Sequence, residues 1–348
     1  MKHRLAILSN FGRNLCLLTL VLNFCSLTLA CDHDDEPEPE TPDQSIPSQS
    51  DDTESSDIPD NPWLEFDYTE PIQSGTEKLD EQLKILIIGG SFGVDITRKL
   101  SDLLQCNNIE TVYIRQLYKG FANVTDHIEG LRDNKNIYEE NYIMEHNKWR
   151  NVSPQPLGEL LRSKKWDLIV MNEAGAKAAN PDIQIYDINV LLGLIKNIID
   201  YTPRFVWLEG WSYADNESVQ NFHLFDNSEI KMFNALNSAT YNYIRPSGEF
   251  WKIVPCATAI QNARNRGIDQ TSKHLTRDGY HADLGFTRSL LSLTFFLKVI
   301  LPFYNVSPQD IKINDWKEGN FPCNNENKTY IQECAVKAVT NPYQLTYK

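Results

Sequence analysis

Several signatures of common binding functions are missing from this chain of 348 residues. Its glycines nowhere have the Gly-x-Gly-x-x-Gly spacing of a dinucleotide site, and no Gly-Lys-Ser/Thr ending marks a phosphate-binding loop. The cysteines and histidines have no metal-ligand spacing, and there is no internal repeat. The sequence therefore predicts neither a cofactor nor a metal ion.

Positive charge is also scarce. The formal net charge is −14, and residues 32–60 contain twelve acidic residues but no lysine or arginine. Setting aside those twelve charges and the three basic residues of positions 1–30 leaves −5 for residues 61–348. Because no basic patch is interleaved with aromatic residues, we expect no nucleic-acid partner.

Residues 1–30 have the pattern of a secretory signal. Basic residues precede an apolar run at residues 15–22, and Ala30 stands directly before Cys31. The pattern resembles a bacterial lipoprotein signal, which implies that Cys31 carries the lipid and attaches the protein to a membrane. The apolar run is short for a membrane span, although an uncleaved anchor is left open as an alternative.

Residues 31–80 are predicted to form an acidic, disordered tether. The segment up to residue 60 is rich in proline and serine, and such a composition buries too little apolar surface to fold. An acidic stretch after the lipid cysteine resembles the export tag of Bacteroidetes surface lipoproteins. This resemblance implies the outer face of the outer membrane, with the periplasmic face as the alternative. Residues 81–348 are predicted to form the folded domain, with residues 318–348 as a C-terminal extension.

Strand and helix patterns alternate through the domain. Apolar runs predict five strands, at residues 84–88, 109–117, 166–172, 204–208 and 251–255. Helical periodicity predicts helices at residues 95–104, 191–199, 230–244 and 284–297. This alternation favours a three-layer α/β/α sandwich around a mostly parallel five-stranded sheet. The last helix is apolar, but Arg288 and Lys298 bound its apolar run too closely for a membrane span.

Two motifs at opposite ends of the domain carry candidate chemistry. The first strand runs into Gly89-Gly-Ser91-Phe-Gly93, and the carboxyl end of a strand is where open α/β sheets place their sites. Asp278 and His281 lie three positions apart before the last helix. Gly-Gly-Ser alone is most often a turn, and Asp-x-x-His alone is most often a helix start. Together they supply a nucleophile, a base and a carboxylate that orients the base.

The glycines around Ser91 also fit the Gly-x-Ser-x-Gly elbow of the α/β-hydrolases. In those enzymes the elbow follows several strands, and the acid lies well before the histidine. Here the serine follows the first strand, and Asp278 is only three residues from His281. The chain order therefore disfavours that fold.

The order of these motifs resembles the SGNH hydrolases, also called the GDSL family of esterases and lipases. The resemblance covers about residues 84–304 and is closest to a branch found in Bacteroidetes lipoproteins. It implies a flavodoxin-like strand order, and an oxyanion hole built from the Ser91 amide, the Gly120 amide and the Asn172 side chain. The usual Gly-Asp-Ser-Leu reads Gly-Gly-Ser-Phe here, and the usual Gly-x-Asn-Asp block is represented by Asn172-Glu-Ala-Gly.

The resemblance implies a serine esterase with Ser91, His281 and Asp278 as its triad. We expect a small-molecule or polysaccharide ester as the substrate, with carbohydrate O-acetyl groups preferred. Aromatic residues at the same sheet edge are candidates for stacking on sugars, with packing as the alternative role: Trp149, Trp211, Tyr213 and Tyr280. A glycan-binding lipoprotein that keeps the fold without catalysis is the competing function.

Four of the seven cysteines fall in the domain. Cys323 and Cys334 bracket a short polar loop, so in an oxidising compartment they are candidates for a disulfide. Cys106 and Cys256 either pair or remain isolated buried thiols.

Overall fold

The structure, a computed structural model, describes residues 66–219 and 221–347, without the side chains of residues 181–184. The predicted signal at residues 1–30, the predicted lipid site at Cys31 and the tether up to residue 65 lie outside the described residues.

Strands and helices alternate along the described chain, as the sequence pattern predicts. The strands are β1 (Leu83–Gly89), β2 (Val112–Tyr118), β3 (Glu140–Glu145), β4 (Lys148–Val152), β5 (Leu168–Met171), β6 (Arg204–Leu208) and β7 (Phe250–Val254). The helices are α1 (Ser91–Thr97), α2 (Leu100–Cys106), α3 (Val124–Arg132), α4 (Leu157–Ser163), α5 (Pro181–Ile198), α6 (Glu229–Ala239), α7 (Cys256–Asn265), α8 (Phe286–Phe295) and α9 (Lys328–Thr340).

The central strand β1 is apolar on both faces because both faces are covered. Ile85 and Ile87 point into one hydrophobic core, which contains residues of α1, α2, α7, α8 and α9. Leu86 and Ile88 point into a second core on the other face, which contains residues of α3, α4 and α5. Successive side chains of a strand alternate between faces, so one apolar run supplies both cores. The result is a three-layer α/β/α sandwich.

The strand order is β4-β3-β2-β1-β5-β6-β7. β2, β1, β5, β6 and β7 pair in parallel, whereas β3 and β4 join antiparallel at one edge. Counted along the chain, the parallel strands have the order 2-1-3-4-5, which is the flavodoxin-like order. The predicted fold class is therefore confirmed, with its five predicted strands present.

The described chain contains two strands that the sequence did not reveal, β3 and β4. Both lie in residues 118–160, between the predicted strands at residues 109–117 and 166–172. β4 is an edge strand with mostly exposed, polar residues, so it lacks the apolar alternation that marks a half-buried strand. The sheet is therefore mixed and seven-stranded within the described residues.

The apolar helix near the C-terminus is a core element. Residues Phe286–Phe303 are long and apolar enough to cross a membrane by length and composition, but 89% of this window is buried inside the domain. Its buried side chains share the core with Ile85 and Ile87 of β1. Burial against the sheet accounts for the hydropathy of this segment.

Segments at both ends of the described chain pack on the domain, and one of them lies before the predicted domain start at residue 81. The Glu70 amide donates to Thr340 O (2.8 Å), and the Gly75 amide donates to Leu301 O (3.2 Å), so part of the predicted tether packs on the domain. At the other end, α9 packs on α7 and α8. Ile331 of α9 is completely buried in the hydrophobic core that contains Ile85 and Ile87. The predicted C-terminal extension is therefore part of that core.

The predicted disulfide between Cys323 and Cys334 is wrong. All four cysteines of the described chain are free thiols. The Cys323 thiol donates to Asn314 O (3.5 Å), whereas Cys334 of α9 is buried in the hydrophobic core that contains Ile85 and Ile87. Cys106 donates to Lys312 O (3.0 Å), and Cys256 is buried in the same core, so these two are isolated thiols as well. The spacing of two cysteines along the chain does not reveal which way their side chains point.

Glu70 gives a test of where the domain begins. Its carboxylate pairs with the Lys298 ammonium, and the two side chains are 23% and 4% exposed. We expect Glu70→Gln to lower the free energy of unfolding by about 2 kcal/mol, less than for a fully buried pair because Glu70 is partly exposed. Urea denaturation measures the difference. Glu81→Gln, at an exposed position, should change stability by less than about 0.5 kcal/mol, and equal effects of the two variants would contradict this assignment.

Candidate active site

Ser91 lies where β1 ends and α1 begins. β1 is flanked by β2 on one side and β5 on the other. The strands that follow β1 in the chain are therefore added first on one side of it and later on the other. Such a switch point opens a crevice at the carboxyl edge, where ligands of α/β proteins bind. A Cβ at Gly89 would lie 2.0 Å from Asn172 Oδ1, so only glycine permits this close approach of the loops after β1 and β5.

The structure joins the three predicted triad residues in one hydrogen-bonded chain. Ser91 Oγ is 2.8 Å from His281 Nε2, and His281 Nδ1 is 2.7 Å from Asp278 Oδ2. The serine and the histidine are separated by 190 residues in sequence. With Nδ1–H donating to the carboxylate, Nε2 is free to accept the serine proton, which is the arrangement that activates a hydroxyl as a nucleophile.

A rigid turn holds Asp278 against His281. Asp278 Oδ1 accepts the His281 amide (2.8 Å) and the Tyr280 amide (3.3 Å). Burial alone would raise the pKa of Asp278, but these hydrogen bonds and the imidazole lower it below its ordinary value. Gly279 between them has a φ of +96°, a conformation that other residues rarely adopt. The glycine of the Asp-Gly-Tyr-His motif thus has a backbone role.

Asp95 ties this turn to the serine helix. It lies on α1, fully buried, and accepts hydrogen bonds from Arg277 Nη1 (3.0 Å), Arg288 Nε (2.8 Å) and the Ala282 amide (3.1 Å). Arg277 and Ala282 flank Asp278 and His281 in sequence, and Arg288 lies on α8. One carboxylate therefore links the helix that carries Ser91 to the turn that carries His281. Sequence reasoning missed Asp95, although its position four residues after the serine is a usable signal.

Two of the three predicted oxyanion donors have other partners. The Gly120 amide donates to Glu139 Oε2 (3.3 Å). Asn172 is buried beside Ser91, but its Nδ2 donates to Glu173 O (3.1 Å), and its Oδ1 has no hydrogen-bond partner among the described residues. The Ser91 amide, at the first residue of α1, has no intrahelical acceptor. The donors therefore lie near the site without converging on one point.

Glu173 organises the loop that carries Asn172. Its carboxylate accepts the Val124 amide (3.2 Å) at the start of α3 and the Ala174 amide (2.7 Å). Burial raises the pKa of Glu173 to about 7, against the lowering effect of these hydrogen bonds. The acidic residue that follows Asn172 thus joins the loop after β5 to α3.

The four predicted aromatic residues occupy different places. Trp211 is fully buried, stacks on Phe92 with ring centroids 3.8 Å apart and donates from Nε1 to Tyr280 O (2.8 Å), so it packs beneath the serine loop. Tyr213 and Tyr280 line a cavity beside Ser91. Trp149 lies on β4 opposite Met144, several residues away from the site edge of the sheet.

The cavity beside Ser91 is small, with a volume of about 30 Å³. Its lining includes Phe121 and Gly175, which sequence reasoning did not single out. The Phe121 side chain is 67% exposed at its mouth. Gly175 directly follows the Asn-Glu-Ala block and was visible in the sequence only as a loop glycine.

The other histidines of the described residues do not join the site. His127 is buried against Tyr138, with 3.0 Å between Nδ1 and the phenol oxygen, and burial lowers its pKa to about 4. His274 pairs with Glu229 (2.8 Å). Within residues 66–219 and 221–347, no cluster of three or more His, Cys, Asp or Glu side chains could hold a metal ion.

The Asp95 network predicts a stability effect. Asp95→Asn removes the charge that both arginines share, and we expect it to lower the free energy of unfolding by about 3 kcal/mol. Asp133→Asn is the matched control, because Asp133 pairs with Lys135 on the surface and should contribute less than about 1 kcal/mol. Urea denaturation of both variants checks the difference, and a similar small loss in each would contradict a central role for Asp95.

Comparisons with solved structures place this architecture among known proteins. A DUF4886 family protein from Bacteroides uniformis ATCC 8492 is 26% identical with a TM-score of 0.67, and the match covers 77% of this chain and 98% of that chain. A candidate SGNH hydrolase from Slackia heliotrinireducens is 17% identical with a TM-score of 0.39, covering 62% and 97% of the two chains. A GDSL-like lipase from Bacteroides thetaiotaomicron is 12% identical with a TM-score of 0.33, covering 57% and 78%. The last two likenesses are too low to bear on function.

The family match runs through the site just described. A comparison with curated proteins found no match. A family model described as "Domain of unknown function (DUF4886)" matches residues 84–326, more than half of the chain and a span that includes Ser91, Asp278 and His281. The chain therefore belongs to the DUF4886 family.

Proposed function

We propose that the protein is a serine esterase that uses Ser91, His281 and Asp278. The observation that carries this proposal is the continuous hydrogen-bonded chain from the Ser91 hydroxyl through the imidazole to the Asp278 carboxylate. A serine hydroxyl is a weak nucleophile unless a base removes its proton, and an imidazole is such a base when a carboxylate orients it.

In the first half of the reaction, Ser91 Oγ attacks the ester carbonyl carbon while His281 Nε2 takes the hydroxyl proton. Asp278 stabilises the imidazolium that forms, and its lowered pKa keeps it ionised at neutral pH. The tetrahedral intermediate collapses as the C–O bond to the alcohol breaks, and the alcohol leaves with the proton from His281. The acyl group is then bonded to Ser91.

In the second half, a water molecule gives a proton to His281 Nε2 and attacks the acyl carbon. The bond to Ser91 breaks, the serine oxygen regains the proton, and the carboxylic acid leaves. Each tetrahedral intermediate places negative charge on the former carbonyl oxygen, which fixed donors must meet. The Ser91 amide is one donor. Asn172 becomes a second if its side-chain amide turns from Glu173 O toward the site.

For the substrate we propose O-acetyl esters of carbohydrates. The exposed Phe121 ring and the partly buried Tyr280 ring flank the mouth of the cavity and offer apolar faces to a sugar. Tyr280 also lies 4.0 Å from the His281 ring, so a bound sugar would sit beside the base. The proposed setting is the cell envelope, with lipid attachment at Cys31 and exposure at the outer membrane surface.

A second candidate function is glycan binding without catalysis. It is favoured by the donors already engaged at the site, since the Gly120 amide is held by Glu139 and the Asn172 amide by Glu173 O. Loss of an oxyanion donor costs about 10²–10³ in kcat, so a site with one donor would be a slow esterase.

Ser91→Ala separates the two functions. If the esterase proposal holds, protein from residue 61 onward hydrolyses p-nitrophenyl acetate, and the variant loses at least about 10³-fold in kcat because the nucleophile is gone. Ser153→Ala, at an exposed position on the chain, should retain the parent rate. Equal rates in the parent and Ser91→Ala would refute the esterase, and polysaccharide binding without turnover would support the alternative.

Asp278→Asn tests how the imidazole is oriented. The amide can present an N–H to His281 and stabilise the wrong tautomer, so we expect kcat to fall by about 10²–10⁴ at pH 7. The pKa of Asp278 lies below its ordinary value, so the carboxylate stays ionised as the pH falls to 5. Protonation of Asp278 should therefore not mimic, down to pH 5, the loss of kcat expected for Asp278→Asn. A pH–rate profile from 5 to 9 checks both points. A variant as fast as the parent would exclude Asp278 from the triad.

A further inference from the structure

The cavity beside Ser91 has room for very little. The space open to the centre of a water-sized group is about 30 Å³, so the cavity holds a short chain of a few atoms. A space of this size favours an acetyl group over longer acyl chains. The lining is largely apolar, with Ala174 and Gly175 from the loop after β5 and Tyr213 from the segment after β6.

The triad geometry assigns this cavity to the acyl half of the ester. The alcohol oxygen must lie next to His281, because the imidazole protonates it as it leaves. His281 and Asp278 face the open side, where the Asp278 side chain is 40% exposed. Ser91 and Asn172 line the cavity, but His281 does not. The acyl group therefore points into the cavity while the alcohol points toward solvent.

Tyr213 is held rigidly as one wall of this cavity. It is 5% exposed, its hydroxyl oxygen accepts the Ala176 amide (3.1 Å), and its ring packs edge-on against Phe222 and Tyr280. Burial raises its pKa to about 12, so the hydroxyl stays neutral. Gly175 has a φ of +39°, and a Cβ there would lie 1.9 Å from the Tyr213 hydroxyl. Contacts at its hydroxyl and along its ring therefore hold Tyr213 in place.

We propose that Tyr213, seated against Gly175, is a specificity-determining residue that limits the acyl group to acetyl. This inference rests on the proposed esterase function and deepens it. The preference for acetyl comes from a wall that a longer chain cannot displace, and the exposed alcohol side leaves the alcohol free to be a large sugar.

The test compares p-nitrophenyl acetate, butyrate and hexanoate. The parent protein should hydrolyse acetate with the highest kcat/KM, since each added methylene meets the Tyr213 wall. Tyr213→Ala removes that wall, and we expect the butyrate-to-acetate ratio of kcat/KM to rise by about tenfold or more. Tyr213→Leu, which keeps an apolar side chain, provides a second opened site should the alanine variant fail to fold.

Two controls isolate the ring itself. Tyr213→Phe keeps the wall but loses the hydrogen bond from Ala176, so acetate should remain the preferred ester. Tyr243→Ala makes the alanine change at an exposed tyrosine between α6 and β7, and its butyrate-to-acetate ratio should equal that of the parent.

The outcomes separate this inference from the esterase proposal. If the parent hydrolyses butyrate as well as acetate in a Ser91-dependent way, or if both opened variants keep the parent ratio, Tyr213 is not the limit and the esterase still stands. If none of the three esters shows hydrolysis that depends on Ser91, the esterase proposal fails and this inference fails with it.

Discussion

One buried carboxylate, Asp95, holds together the parts on which the site depends. It lies on the serine helix and binds Arg277 and the Ala282 amide on either side of the histidine turn, and Arg288 on α8. A charge buried without partners would be costly, so this set of donors has little freedom to rearrange. This ion-pair network thus supports the two segments whose side chains make the 2.8 Å contact between Ser91 and His281.

A second constraint is the close approach of the loops after β1 and β5. Gly89 leaves room for the Asn172 side chain, and the switch point between these parallel strands places both loops at the same edge. Glu173 then connects the second loop to α3. The nucleophile, the base and the candidate oxyanion donor come from distant parts of the chain, and backbone geometry brings them together.

The same packing accounts for the competing functions. Tight loops give a small, rigid cavity, which favours discrimination between acyl groups. They also give the Gly120 and Asn172 amides acceptors of their own, Glu139 and Glu173 O. The two proposed functions, ester hydrolysis and sugar binding, therefore differ in what they require of a few local hydrogen bonds, with the fold and the proposed triad unchanged.

The sequence by itself determined the fold class, the parallel strands and the triad candidates, because apolar runs and chain order reflect which faces are buried and which loops share an edge. It did not reveal β3 and β4, because β4 is an exposed edge strand without an apolar period and the buried part of β3 is only residues 141–144. It also left open which aromatic rings face the site, how the thiols lie and what the Gly120 amide binds. Only the tertiary structure decided that Tyr213 lines the cavity, that Trp211 packs beneath the serine loop and that Trp149 lies away from both. Side-chain direction depends on contacts between residues far apart in the chain, and no local pattern encodes those contacts.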